Sequence, residues 1–143
     1  MKITVKRRVN SPLSPSEVFA RLSDFTKTEE WDPGTISTER LSGDGKVGTT
    51  YRNVSSFMGN KTELIYTVEQ FEEPRIYQVR GQNKTVEALD TMTFEPNASG
   101  GTDMTYRAEF RFKGLAKLIA PLTIPAFWRL GNEAKRDLDE YLS

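Results

Sequence analysis

The sequence predicts an α+β domain: a curved antiparallel sheet of about seven strands, two short helices after the first strand, and one long C-terminal helix over a cavity. Three observations carry this. Thr102 to Lys113 alternate strictly, with Met104, Tyr106, Ala108, Phe110 and Phe112 apolar and Asp103, Thr105, Arg107, Glu109, Arg111 and Lys113 between them. A period of two is that of a strand with one buried face. The period then changes: Leu115, Leu118, Ile119, Leu122, Ala126, Leu130, Ala134, Leu138 and Leu142 recur at spacings of three or four, as in an amphipathic helix. Upstream, short turn signals divide the chain into a regular series of strand-like runs.

The elements follow in order. Residues 2–10 form the first strand, with Ile3, Val5 and Val9 on one face. Ser14-Pro15-Ser16-Glu17 fits a capping box: Ser14 is the N-cap, Pro15 takes the first helical position, and Glu17 reaches back. Val18, Phe19 and Leu22 give that helix its apolar stripe. Asp24 caps a second short helix carrying Phe25 and Trp31, which ends at Asp32-Pro33-Gly34. Turn signals at Ser42-Gly43-Asp44-Gly45, Gly59-Asn60, Glu72-Glu73-Pro74, Gly81-Gln82-Asn83 and Asn97-Ala98-Ser99-Gly100-Gly101 separate strands near 35–41, 47–58, 61–71, 75–81, 85–95 and 102–113. Short connections between consecutive strands make an antiparallel meander. Pro121 and Pro125 would each cost about 3 kcal/mol inside a helix. The regular helix is therefore expected from about 123 to 142, with Leu115–Ala120 as a separate apolar segment at one end of the sheet.

The chain of 143 residues is read as one domain, 1–143. Twenty basic and twenty acidic residues cancel, which removes the electrostatic footprint of a nucleic-acid binder. No apolar run is long enough to span a membrane, and the basic start has no apolar stretch behind it, unlike a signal peptide. A cytoplasmic location is expected. With neither Cys nor His present, thiolate chemistry, disulfides and a Ser-His-Asp triad are excluded. Glu133 and Asp137 lie four residues apart, but without a further ordered acidic cluster no metal is expected. No cofactor is expected either.

With Ser11-Pro12-Leu13-Ser14-Pro15-Ser16-Glu17-Val18-Phe19 after the first strand and Trp31-Asp32-Pro33-Gly34 after the second helix, the chain resembles the polyketide cyclase/dehydrase and lipid-transport family of the START-like, or helix-grip, superfamily. Val47-Gly48-Thr49, Glu73-Pro74-Arg75 and Gly100-Gly101-Thr102 complete the matching pieces. The resemblance covers the whole chain and implies a helix-grip fold with a hydrophobic cavity. It implies no single activity and brings no shared catalytic motif.

The best candidate for chemistry is Asp90. It sits in the middle of the strand face formed by Val86, Ala88, Met92 and Phe94, and a carboxylate there must be paired or its pKa rises. It reads as a ligand anchor, a general base, the partner of a structural hydrogen bond to a neighbouring Tyr, or a residue turned outward by an irregular strand. Tyr66 and Tyr106 fall in inward phases, while Tyr51 and Asn53 share a strand face whose direction the pattern leaves open. Trp31 is expected at the cavity rim or in the core. Phe57 and Met58 flank a Gly-Asn turn and would form a lip, and one of Phe127 and Trp128 would gate the entrance, since neighbours on a helix project about 100° apart. The candidate ligand-lining set is Trp31, Tyr51, Asn53, Tyr66, Ala88, Asp90, Met92, Tyr106, Phe110, Leu122 and Phe127.

Three functions compete. The first is binding or transport of a small hydrophobic molecule, lipid-like or polyketide-like, in an internal cavity. The second is a cofactor-free cyclase or dehydratase with Asp90 as general base and Tyr66 or Tyr106 as proton donor. The third is a protein-interaction module whose interior is filled and which exposes an apolar patch.

Overall fold

The computed structural model describes residues 1–143. Strand β1 (Lys2–Ser11) leads into α1 (Pro15–Leu22), a 3₁₀ turn (Phe25–Lys27) and α2 (Thr28–Trp31). Six strands follow: β2 (Thr35–Ser42), β3 (Thr50–Phe57), β4 (Asn60–Glu72), β5 (Ile76–Gln82), β6 (Val86–Pro96) and β7 (Thr102–Phe112). Two 3₁₀ turns, Gly114–Leu118 and Ala120–Thr123, precede the long helix α3 (Ile124–Tyr141). The element order is the expected one, and α3 starts at the second of the two prolines, with Pro125 in its first turn, as the helix cost of proline requires.

All seven strands form one antiparallel sheet in the order β1-β7-β6-β5-β4-β3-β2. The meander runs from β2 to β7. The first strand closes it from the far side, with Val5 opposite Ala108 and Val9 opposite Met104. The helical excursion after β1 therefore carries the chain from one sheet edge to the other.

Local signals explain the helix ends. Ser14 Oγ accepts from the Glu17 N–H at 3.3 Å; the Glu17 side chain makes no return bond, so only half of the expected capping box forms. Asp24 caps the 3₁₀ turn by accepting from the Thr26 N–H at 3.1 Å.

One half of the concave sheet face is filled by side chains. Phe19 of α1 sits edge-on to Phe71, Phe94 and Tyr77, with centroids 5.1, 5.4 and 6.5 Å away, a favoured geometry for aromatic pairs. Met92, Met104, Leu138 and Leu142 complete this core. At the other end α3 crosses β1. Gly131 makes that approach possible, because a side chain there would collide with Val5 Cγ1 and the Arg7 guanidinium. Between the filled core and the start of α3 the face stays open.

Candidate functional site

The open part of the sheet is a cavity of about 160 Å³, a space comparable to those that hold a single aromatic ring. Its wall follows the period of two. From β3 come Asn53, Ser55 and Phe57, with Ser56 reaching the wall out of phase; from β4, Thr62, Leu64 and Tyr66; from β6, Val86 and Asp90; from β7, Tyr106, Phe110 and Phe112. Phe127 and Leu130 of α3 form the roof, and Asp32 and Gly34 of the turn before β2 close one side. The wall carries two carboxylates and no lysine or arginine.

Asp90 is the chemically exposed group of this set. It forms no hydrogen bond or ion pair with any protein group, and burial pushes its carboxyl up to about 8, with repulsion from Asp32 adding to the effect. Asp32 is also raised by burial, but its two oxygens are occupied: one accepts from the Gly34 N–H at 3.2 Å, the other from the Thr35 hydroxyl at 2.8 Å. Tyr66 and Tyr106 have hydroxyls without a protein partner. Burial raises both well above the ordinary phenol value, and the charges of Asp90 and Asp32 add to it. Both phenols therefore stay protonated and can donate. Three hydrogen-bonding groups without protein partners thus line one aromatic cavity.

The family described as polyketide cyclase/dehydrase and lipid transport matches residues 2–139. The chain belongs to that family. Among solved structures it is similar to a START superfamily protein from Mycobacterium smegmatis, at 15% identity with a TM-score of 0.80, covering 97% of this chain and 96% of that one. It is similar as well to the Zhui aromatase/cyclase from Streptomyces sp. R1128, at 12% identity with a TM-score of 0.82, covering 99% and 94%. Identities this low establish a shared helix-grip fold. No curated protein matches the chain.

In this member of the polyketide cyclase/dehydrase and lipid-transport family, six of the eleven expected lining residues meet at the cavity: Asn53, Tyr66, Asp90, Tyr106, Phe110 and Phe127. The direction of β3, left open by its pattern, is settled by Tyr51 and Asn53, which are buried at 1% and 4% exposure. Asn53 reaches the wall, but its amide nitrogen donates to Thr35 Oγ1 at 3.0 Å and Thr38 Oγ1 at 2.9 Å. Thr38 in turn shares a 2.6 Å hydrogen bond with Thr28, so Asn53 helps seat α2 on the sheet.

Five expected residues lie elsewhere. Trp31 is core, not rim: it packs edge-on behind Tyr106 at 6.0 Å, with its indole N–H buried and unpartnered. Tyr51 packs on Phe25 in the filled core. Ala88 and Met92 share the Asp90 face but are buried and do not reach the cavity wall. Met92 stands opposite Tyr77, which Phe19 of α1 covers, and Ala88 is fully buried between Gly81 and Phe110 on the neighbouring strands. Leu122 is 73% exposed. Helical spacing carried it inward, but the prolines put it in a 3₁₀ turn, where three residues per turn shift the phase.

The roof residue is Phe127, as one of the two expected gates. Its ring stacks on Phe57 at 4.4 Å and on Phe110 at 4.3 Å. Trp128 points outward, with Arg7 over its ring at 5.0 Å. Phe57 is thus held as part of the closure, while Met58 at the same hairpin tip stays exposed. Sequence reasoning missed Asp32 as a wall residue, because Asp32-Pro33-Gly34 reads as a turn. It also missed Thr62, Leu64, Phe112 and Leu130, whose alternation carried the signal for the strand members.

Proposed function

We propose that the protein binds a small, mainly apolar molecule in this cavity and orients it through Asp90, Tyr66 and Tyr106. The observation that carries the reading is the convergence of three hydrogen-bonding groups without protein partners in a wall of aromatic side chains, the usual composition of a ligand pocket. Near neutral pH a carboxyl raised to about 8 is mostly protonated. All three groups then offer donors, which suits a ligand with carbonyl or hydroxyl oxygens on an apolar ring. The volume supports a ligand near one ring in size while Phe127 holds its place. Lipid-like or polyketide-like molecules of greater length require the Phe127 stack to open.

The test is a native mass spectrum of freshly purified protein, followed by solvent extraction of whatever is released. A stoichiometric, oxygen-bearing apolar compound supports the reading. Failure of every member of a lipid and polyketide panel to bind or to raise the melting temperature sinks it.

One observation favours a second reading, a cyclase- or dehydratase-type enzyme. A carboxyl poised near 8 beside two phenols can take up and return a proton at working pH, as general acid–base catalysis needs. Asp90→Asn separates the two. A carrier keeps binding, weakened by about one hydrogen bond; an enzyme keeps binding and loses turnover.

A further inference from the structure

The stretch from Phe110 to Asn132 contains four basic residues, Arg111, Lys113, Lys117 and Arg129, and no Asp or Glu. The same stretch carries five of the eleven exposed large apolar side chains of the molecule, and they include three of the four most exposed: Leu115 at 85%, Leu118 at 77%, Ile119 at 53%, Leu122 at 73% and Trp128 at 61%. Scattered exposed apolar side chains are ordinary; five in one segment are not.

The segment is held in place. Ala120 is fully buried and packs with Ile3, Val5 and Phe127, and the Thr123 hydroxyl donates to the Ala120 carbonyl at 2.6 Å. The Lys113 ammonium donates to Gln82 Oε1 and the Asn83 carbonyl. The leucines therefore face outward while the inner positions are taken. In the tight 3₁₀ turns residues three apart eclipse, which puts Leu115 over Leu118 and Ile119 over Leu122. Lys117 of the first turn is exposed and without a carboxylate partner.

Charge decides the partner. Arg111 turns to the outer sheet face beside Glu87 and Glu109, so Lys117 and Arg129 are the free cations of the segment, and an isologous dimer through this face would bring a second pair of them against the first. An anionic lipid surface meets both properties at once: its headgroups attract the cations, and leucines and tryptophan settle at the boundary between headgroups and acyl chains. No helix of the chain is long and apolar enough to cross a membrane, so the contact is peripheral.

We propose that residues 113–129 form a docking surface for an anionic lipid bilayer. The cavity wall residues Phe112 and Phe127 flank the exposed turns directly in the chain, so docking brings the roof of the cavity to the lipid side. This proposal stands on the surface alone and holds whatever the cavity contains.

The experiment is co-sedimentation of the full chain with phosphatidylcholine vesicles and with equimolar phosphatidylcholine–phosphatidylserine vesicles at low and high salt. The expected result is binding to the anionic vesicles that weakens with salt and is at least about tenfold tighter than to the neutral ones. Leu118→Asp with Leu122→Asp reduces it to the neutral level, and Lys117→Glu with Arg129→Glu weakens it by about tenfold or more. All four positions are exposed, and unchanged circular dichroism confirms that the variants fold. Absence of anionic-vesicle binding by the wild type, or equal binding by the leucine variant, overturns the proposal. So does a wild-type dimer that Leu118→Asp converts to a monomer, which would assign the face to a second copy. Sedimentation of the empty protein keeps this outcome separate from any failure of the cavity reading.

Discussion

The phenol ring of Tyr66 fills the place where a side chain on Gly81 would stand. The two residues are direct partners across β4 and β5, and a Cβ at Gly81 would lie 2.6 Å from two ring carbons of Tyr66. A glycine facing an aromatic ring across a strand pair lets the ring lean over the neighbouring backbone. Here it fixes where the Tyr66 hydroxyl enters the cavity.

Gly81→Ala therefore acts on the site as well as on the sheet. The added methyl drives the ring off Gly81, at a cost of about 1–3 kcal/mol for overpacking. The expected outcome is a lower melting temperature together with weaker retention of any extracted ligand. A variant that melts at the wild-type temperature and binds as before would show that the ring has room to move.

This pair also marks how far sequence pattern reaches. Leu64 and Val68 placed Tyr66 on the inner face, and alternation likewise placed Asp90, Tyr106 and Phe110. Alternation sets the phase of one strand at a time; which glycine lies opposite depends on register, which emerges only when the strands pair. The same limit explains Met92 and Leu122. Met92 has the right face but lies under α1, and its cover is a tertiary fact. Leu122 has the right spacing for a helix, and the prolines that remove it from the helix predict the break without predicting the direction in which the broken turns point. Asp32 escaped because a turn signal and a buried carboxylate look alike in sequence.

Asp90 makes stability depend on pH in a direction opposite to that of a salt-bridged carboxylate. The folded protein holds the Asp90 proton up to about pH 8, while an unfolded chain releases it at about pH 4. Between those values the unfolded state binds fewer protons, so stability falls as pH rises through the window and levels off above it. In Asp90→Asn that decline disappears, and the variant melts above the wild type at the alkaline end of the window. Melting temperatures of both proteins across the range check this. Parallel curves would mean that Asp90 is solvated or paired in the folded protein.

Phe127 closes the cavity by stacking between Phe57 and Phe110, so its removal opens the roof. Phe127→Ala is expected to cost about 3–5 kcal/mol, as for other buried phenylalanines, and to admit larger ring systems. Phe127→Leu retains more packing and tests the same idea if the alanine variant is too unstable. The readout is the ranking of one-, two- and three-ring probes by thermal stabilisation. A ranking unchanged from wild type would place the entrance elsewhere.

Asn53 faces two ways, and a pair of variants separates its roles. Its amide nitrogen spends both hydrogens on Thr35 and Thr38, which leaves only the carbonyl oxygen to accept from a ligand. Thr38 pairs directly with Asn53 across β2 and β3, is buried, and is absent from the cavity wall. Thr38→Val therefore removes the shared hydrogen bond from the side away from any ligand, while Asn53→Ala removes both the bond and the oxygen. Each is expected to lower stability by about 1–3 kcal/mol, the usual cost of leaving buried polar groups unpaired. Affinity for a hydroxyl-bearing ligand falls in Asn53→Ala and stays near wild type in Thr38→Val. Equal losses of affinity in the two variants would mean that Asn53 positions the wall through α2 and does not touch the ligand.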